Sequence, residues 1–241
     1  DPSANTIAFD VTAVNDAPVL DATQSPVLAD IIEDVAPVAN TGTTVADLVV
    51  DNSITDVDLA VSAPEAIYVT VADNSNGSWE YQVDGVNWLT VDFTTNPGTG
   101  LLLESSDAIR FVANADFNGS VDITFGAWDQ TSGIAGNYAD ISTVGGTTPF
   151  SADTDTASIS VTPVNDAPAG TNNTVSLPED GSHTFTVADF GFTDPTDAAE
   201  AGGANALQTV KISSLPADGE LHYNSVAITQ VQVDAGFEVS A

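Results

Sequence analysis

Oxygen donors dominate the chemistry this chain can offer. Asn15-Asp16, Glu33-Asp34 and Asp56-Val57-Asp58 follow one another, and Asn165-Asp166, Glu179-Asp180 and Asp194 with Asp197 repeat the series further on. Carboxylate and amide oxygens at this density suit a hard divalent cation, since calcium takes about 6–8 oxygens at ~2.3–2.6 Å. No single loop supplies that number, and the EF-hand pattern with its central Gly and terminal Glu is missing. Each site is therefore expected to draw its ligands from three places: an Asn-Asp pair, a Glu-Asp pair and a spaced pair of Asp. Glu-Asp follows Asn-Asp by 18 residues in the first series (Asn15 to Glu33) and by 14 in the second (Asn165 to Glu179). The expected ligands are Asn15, Asp16, Glu33, Asp34, Asp56 and Asp58 in one set, and Asn165, Asp166, Glu179, Asp180, Asp194 and Asp197 in the other. Asp129 is a further candidate, with Asp153 and Asp155 behind it. Magnesium fits less well, because it demands near-octahedral geometry and keeps its waters.

Charge points the same way. The chain carries 35 Asp and Glu against two basic residues, Arg110 and Lys211, for a formal net charge of −33. Nucleic-acid binding is excluded, as nothing neutralises phosphates, and an anionic membrane surface would repel the chain. A fold this acidic repels itself unless cations come from outside. There is no Cys, which removes disulfides, thiolate catalysis and zinc–thiolate sites. His183 and His222 have no metal spacing, and no nucleophile elbow occurs. The chain reads as a non-enzyme. Trp79, Trp88 and Trp128 read as core, with a sugar-stacking surface as the other use, and Arg110 as the partner of a structural ion pair.

The elements that must position these oxygens are organised around a phrase that occurs twice. Val11-Thr12-Ala13-Val14-Asn15-Asp16-Ala17-Pro18 and Val161-Thr162-Pro163-Val164-Asn165-Asp166-Ala167-Pro168 are identical at seven of eight positions. Each copy leaves an alternating run and ends in Asn-Asp-Ala-Pro, which cannot continue a strand because Pro lacks the N–H and restricts the residue before it. The expected organisation is 1–18 as the last strand of a preceding domain (strand 6–11) plus linker, 19–168 as a first full domain plus linker, and 169–241 as a second domain, incomplete at its end. No apolar run reaches the ~20 residues of a membrane helix, and no signal peptide is visible. Alternating runs predict strands at 43–50, 67–71, 79–83, 88–91, 109–112, 121–125 and 157–161, then at 184–187, 209–212 and 220–223. Residues 131–155, rich in Gly, Thr and Ser, predict a long loop. The fold class is all-β, a pair of tandem β-sandwich domains.

The doubled linker resembles the joints of the cadherin-like tandem repeats in very large bacterial surface adhesins, the RTX-type adhesins among them. The second domain is similar to one such module through Leu177-Pro178-Glu179-Asp180-Gly181, Asp189-Phe190-Gly191-Phe192-Thr193-Asp194-Pro195 and Val210-Lys211-Ile212-Ser213-Ser214-Leu215-Pro216. The first is similar to another through Trp79, Tyr81, Asp84-Gly85 and Trp88, Arg110-Phe111 with Phe117-Asn118-Gly119, and Ala127-Trp128-Asp129. The resemblance implies cadherin-like or immunoglobulin-like sandwiches joined by short calcium-binding linkers. It further implies a secreted or bacterial cell-surface location and a spacer or scaffold role in adhesion or biofilm formation. The implied partners are calcium, neighbouring domains of the same long chain, and a glycan or host-surface ligand. A calcium-dependent carbohydrate-binding module and an accessory domain of a secreted hydrolase are the alternative readings.

Overall fold

The computed structural model describes residues 7–59, 65–195, 197 and 203–241. It divides into two compact units, Asp1–Pro163 and Val164–Ala241. The second linker phrase, from Val164 onward, thus belongs to unit 2 rather than to the end of the first domain.

The regular elements of unit 1 are strands, apart from one helical turn. In chain order they are β1 (Val19–Leu20), β2 (Ile31–Ile32), β3 (Thr43–Thr44), β4 (Ile54–Thr55), β5 (Ala66–Ala72), β6 (Gly77–Gln82), β7 (Leu89–Thr90), β8 (Thr99–Glu104), β9 (Ala108–Ala113), β10 (Gly119–Trp128), β11 (Tyr138–Asp140) and β12 (Phe150–Thr162). One sheet of six runs β11-β8-β5-β10-β12-β2 and one of four runs β3-β9-β6-β7, while β1 pairs with β4. Every ladder is antiparallel except β12 with β2, where Val161 and Thr162 pair in parallel with Ile31 and Ile32. The two large sheets share one core. Ile67, Val69, Leu101, Leu103, Ile123, Phe125 and Ile159 come from the six-stranded sheet, and Trp79, Tyr81, Ile109 and Phe111 from the four-stranded one. Trp79 and Tyr81 alternate inward with period two, as the sequence suggests, but Val83, the third member of that run, lies beyond β6 and is exposed.

The runs Ala66–Val69 and Leu101–Leu103 are buried without alternation, because the six-stranded sheet is covered on both faces. Its second face carries Ala66, Tyr68, Leu102, Trp128 and Phe150, packed against Ala135, Ala139 and Ile141. Those last three lie in the stretch expected as a free loop. Residues 131–149 instead form a cover that includes β11, and 150–155 belong to β12, paired with β10 up to Trp128↔Phe150. Gly126 is required on β10, since a Cβ there would collide with the Tyr68 ring, whose hydroxyl donates to the Ser151 carbonyl at 2.7 Å.

Two further expectations are corrected. The run 43–50 pairs only at Thr43–Thr44 and then turns into a single helical turn, α1 (Val45–Leu48). The Thr44 hydroxyl accepts from the Asp47 N–H at 3.1 Å and donates to the Asp47 carboxylate at 2.6 Å, an N-cap that outweighs β-propensity. Residues 7–11 run unpaired, with Ile7, Phe9 and Val11 exposed; Thr6, the first residue of that expected strand, lies outside the described residues.

Unit 2 contains β13 (Thr209–Lys211), β14 (His222–Tyr223), β15 (Val226–Ala227), a short helix α2 (Gln230–Asp234) and β16 (Glu238–Ser240), paired as β13–β16 and β14–β15. The expected strand 184–187 is absent. Asp189 accepts from both the backbone N–H and the hydroxyl of Thr186, at 2.7 and 3.0 Å, and so closes a 3-10 turn over Val187–Phe190. Among the described residues, no helix is long and apolar enough to cross a membrane.

Candidate metal centre

At the start of unit 1 the linker phrase folds back onto two acidic residues far along the chain, Asp58 and Asp129. The Asp16 backbone N–H donates to Asp58 Oδ2 at 2.7 Å. Asn15 Nδ2 donates to Asp129 Oδ2 at 2.8 Å and to the Thr148 carbonyl at 3.3 Å, and the Ala17 N–H donates to the Gly146 carbonyl at 2.8 Å. The pairing that makes this possible is short: Val19 lies opposite Thr55 and Leu20 opposite Ile54, which delivers Asp56-Val57-Asp58 beside the linker. Asp129 is placed by the end of β10. It is 3% exposed, and its Oδ1 accepts the N–H and hydroxyl of Thr131 at 2.8 and 2.7 Å, so the carboxylate is held in one orientation.

Unit 2 repeats the arrangement with different spacing. The Asp166 N–H donates to Asp197 Oδ1 at 3.1 Å, and Ala169 bridges Thr193, 150 residues after Val19 in its pairing with Thr55. Asp194 and Asp197, 7% and 2% exposed, occupy the places of Asp56 and Asp58. Asn205 gathers the group. Its backbone N–H donates to Asp194 Oδ2 at 2.6 Å, and its side-chain amide reaches Asn165 Oδ1 at 2.8 Å and Asp197 Oδ2 at 3.5 Å.

The Glu-Asp pairs sit elsewhere. Glu33 is fully buried; its N–H donates to the Thr162 carbonyl at 2.9 Å, and its Oε2 accepts from Asn118 Nδ2 at 3.2 Å. A carboxylate oxygen of Asp34 lies within 4.8 Å of one of Asp116. This group is at the exit end of β12, whereas Asn15 and Asp129 are at its entry end. Thirteen residues of strand separate them, on the order of 40 Å at ~3.3 Å per residue. The expected set of six around Asn15 is therefore corrected: hydrogen bonds link Asn15 to Asp129, Asp16 to Asp58 and Asp58 to Asp56, and Glu33 and Asp34 do not join them. Parallel pairing of β2 with β12 is the reason, because it carries Glu33 along with the exit strand. Glu179 and Asp180 are exposed in a turn of the same kind. Asp34 and Asp180 share a left-handed backbone, φ 57° and 62°. Asp153 stands exposed along β12, and the Asp155 carboxylate accepts the Thr156 N–H.

Asp116, Asn118, Asn205 and the 145–149 turn were not among the ligands expected from sequence. Asp116 and Asn118 carry one signal, an oxygen-rich turn ahead of a long strand. Asn205 carries none, being an isolated amide after a Gly-rich stretch.

The donors around the first linker are oxygens only, which fits a hard cation. One of them lacks any other partner. Asp56 Oδ2 is buried and has no hydrogen bond among the described residues, while Asp56 Oδ1 accepts the Asp58 N–H at 2.8 Å. A buried carboxylate oxygen left without a donor costs at least ~1–3 kcal/mol, and among the described residues no basic side chain pairs with it. Arg110 lies across the four-stranded sheet, bound to Glu80 at 2.6 Å. No family model, curated protein or solved structure matches the chain.

Proposed function

We propose that this chain is a calcium-stiffened extracellular segment of a large bacterial adhesin, a non-enzymatic spacer or scaffold in adhesion or biofilm formation. Its units are read as cadherin-like sandwiches, and calcium is the ion at the linker acids. One observation carries this reading: both Asn-Asp-Ala-Pro phrases, 150 residues apart, hang their Asp N–H on the second acid of a downstream pair in the unit they introduce. A turn needs no such duplication. A cation bridging those acids would clamp each linker to its unit and offset the repulsion of a chain at −33. Asp56, Asp58 and Asp129 with Asp16 would hold the ion in unit 1, and Asp194 and Asp197 with Asp166 in unit 2.

Burial of Trp79 and Trp128 removes two of the three rings a sugar-stacking face would need, which favours the scaffold over the carbohydrate-binding reading. The test is hydrogen exchange on residues 15–20 and 165–170 with calorimetric titration. Millimolar calcium should bind and slow exchange at both linkers, and magnesium should do so far less. Equal exchange in calcium and in chelator would sink the proposal.

A further inference from the structure

The two units differ in what they bury. Among the described residues, twenty-seven buried hydrophobic side chains lie in unit 1 and two, Ile228 and Val233, in unit 2. Leu177, Phe185, Val187, Val226 and Val231 of unit 2 are 47–78% exposed. The ladders of unit 2 are two separate strand pairs, β13–β16 and β14–β15, and a lone pair of strands is marginal in water. No Cys is present to staple it.

The other buried side chains of unit 2 are carboxylates. Asp194 and Asp197 are 7% and 2% exposed, and with Ile228 and Val233 they are the four buried residues described there. Their hydrogen-bond donors are neutral. Asn205 N–H serves Asp194, and the Asn205 amide and the Asp166 N–H serve Asp197. Among the described residues no salt bridge reaches either acid. Burying charge without a counter-charge is unfavourable, and little apolar surface is covered here to offset both that and the chain entropy.

We propose that unit 2 is a cation-dependent fold: a hard divalent cation shared by Asp194 and Asp197 stands in for an apolar core, and without it unit 2 unfolds while unit 1 stays folded. The proposal rests on the reading of these acids as cation ligands. Ligands that converge only in the folded state turn binding free energy into folding free energy. Small folds with little core are held by disulfides, a structural metal or a partner chain, and the first of these is excluded by composition. Unit 1 has no such need, because its core closes between two sheets; there a cation adds to a fold that already stands.

Side-chain reporters separate the two units. Trp79, Trp88 and Trp128 all lie in unit 1, and both histidines, His183 and His222, lie in unit 2. The test takes the full chain in chelator and titrates it with calcium chloride, reading tryptophan fluorescence, the histidine ring-proton resonances and amide hydrogen exchange. In chelator the histidines should resonate together at the position of an unstructured chain, and amides of 209–211 and 238–240 should exchange unprotected, with tryptophan emission as it is in calcium. Calcium should disperse the histidine signals in a saturable way and slow exchange at those strands by about tenfold or more. Asp197→Asn should raise the calcium midpoint of the histidine signals about tenfold, since the number of carboxylates sets affinity, and should leave tryptophan emission in place. Equal exchange at 209–211 and 238–240 in chelator and in calcium would overturn the proposal, as would histidine signals that stay collapsed at saturating calcium. Protection in chelator that grows with protein concentration would also overturn it, because a second copy would then be the staple. If calcium still binds by calorimetry and slows exchange at residues 15–20 in any of these cases, the scaffold reading stands and this inference alone falls; no binding and no slowing there sinks both.

Discussion

Replacing Asp58 by Asn separates the two roles assigned to its carboxylate. In the fold, Asp58 Oδ2 accepts the Asp16 N–H at 2.7 Å, and an amide oxygen keeps that bond. What Asn removes is a unit of negative charge beside Asp56, whose Oδ1 already takes the Asp58 N–H. In chelator, Asp58→Asn should therefore melt at or slightly above the wild-type temperature. In calcium the order should reverse. Extracellular calcium modules bind at roughly 10⁻⁴–10⁻³ M. At 10 mM calcium, about 100 times the tighter limit, an ion adds ~2.7 kcal/mol, or ~5–10 °C for a unit of this size. Weakening the site tenfold cuts the gain to ~1.4 kcal/mol. Differential scanning calorimetry of wild type, Asp58→Asn and Asp58→Ala in calcium and in chelator reads this directly. Asp58→Ala should lose a little stability in both conditions, because the exposed Asp16 N–H then exchanges its carboxylate partner for water. An identical calcium shift in wild type and Asp58→Asn would refute the assignment of Asp58 as a ligand. Asp197→Asn is the matching experiment in unit 2, where Asp197 accepts the Asp166 N–H.

Arg110→Met should destabilise unit 1 by about 3–5 kcal/mol in urea unfolding, since it leaves Glu80 unpaired and removes the stack on Trp88 at 4.1 Å. Arg110→Lys should rescue little, because one ammonium cannot span Glu80 and the Pro37 and Asn40 carbonyls. Asp92 should titrate by NMR near its depressed value, about 2, held down first by the Thr94 and Thr95 hydroxyls. A carboxylate lowered in the fold adds stability that is present above its ordinary pKa and lost as pH falls toward 2. The turn at Asp92 should therefore loosen only in strong acid, and Thr94→Ala should raise the midpoint.

The all-β character and the hairpin of β6 and β7 were legible from period-two alternation and from Asp84-Gly85. Local capping was not. Thr44 and Thr186 each sit in a run of good strand formers, and a side-chain bond three residues on turns each run into a helical turn. The stretch 131–149 looked free because small polar residues hide what three apolar ones, Ala135, Ala139 and Ile141, cover. Within the candidate site, sequence found Asn15, Asp16, Asp56, Asp58 and Asp129, because acids spaced along a repeated frame announce themselves. It grouped Glu33 with them because sequence distance says nothing of sheet order. Only a parallel pairing, Val161 with Ile31, reveals that Glu33 travels with the exit strand. The contact of Asn205 with Asp197 is likewise one that no local sequence pattern encodes.

The thirteen residues of β12 join one end of unit 1 to the other. The chain enters at the linker beside Thr148 and leaves at Thr162, so a tension applied to the chain runs along this strand. Its ladder with β10, from Gly119↔Val161 to Trp128↔Phe150, lies parallel to the load. Bonds arranged so must break together rather than unzip one at a time. Unit 1 is therefore loaded in shear, the geometry in which a β-sheet resists extension best.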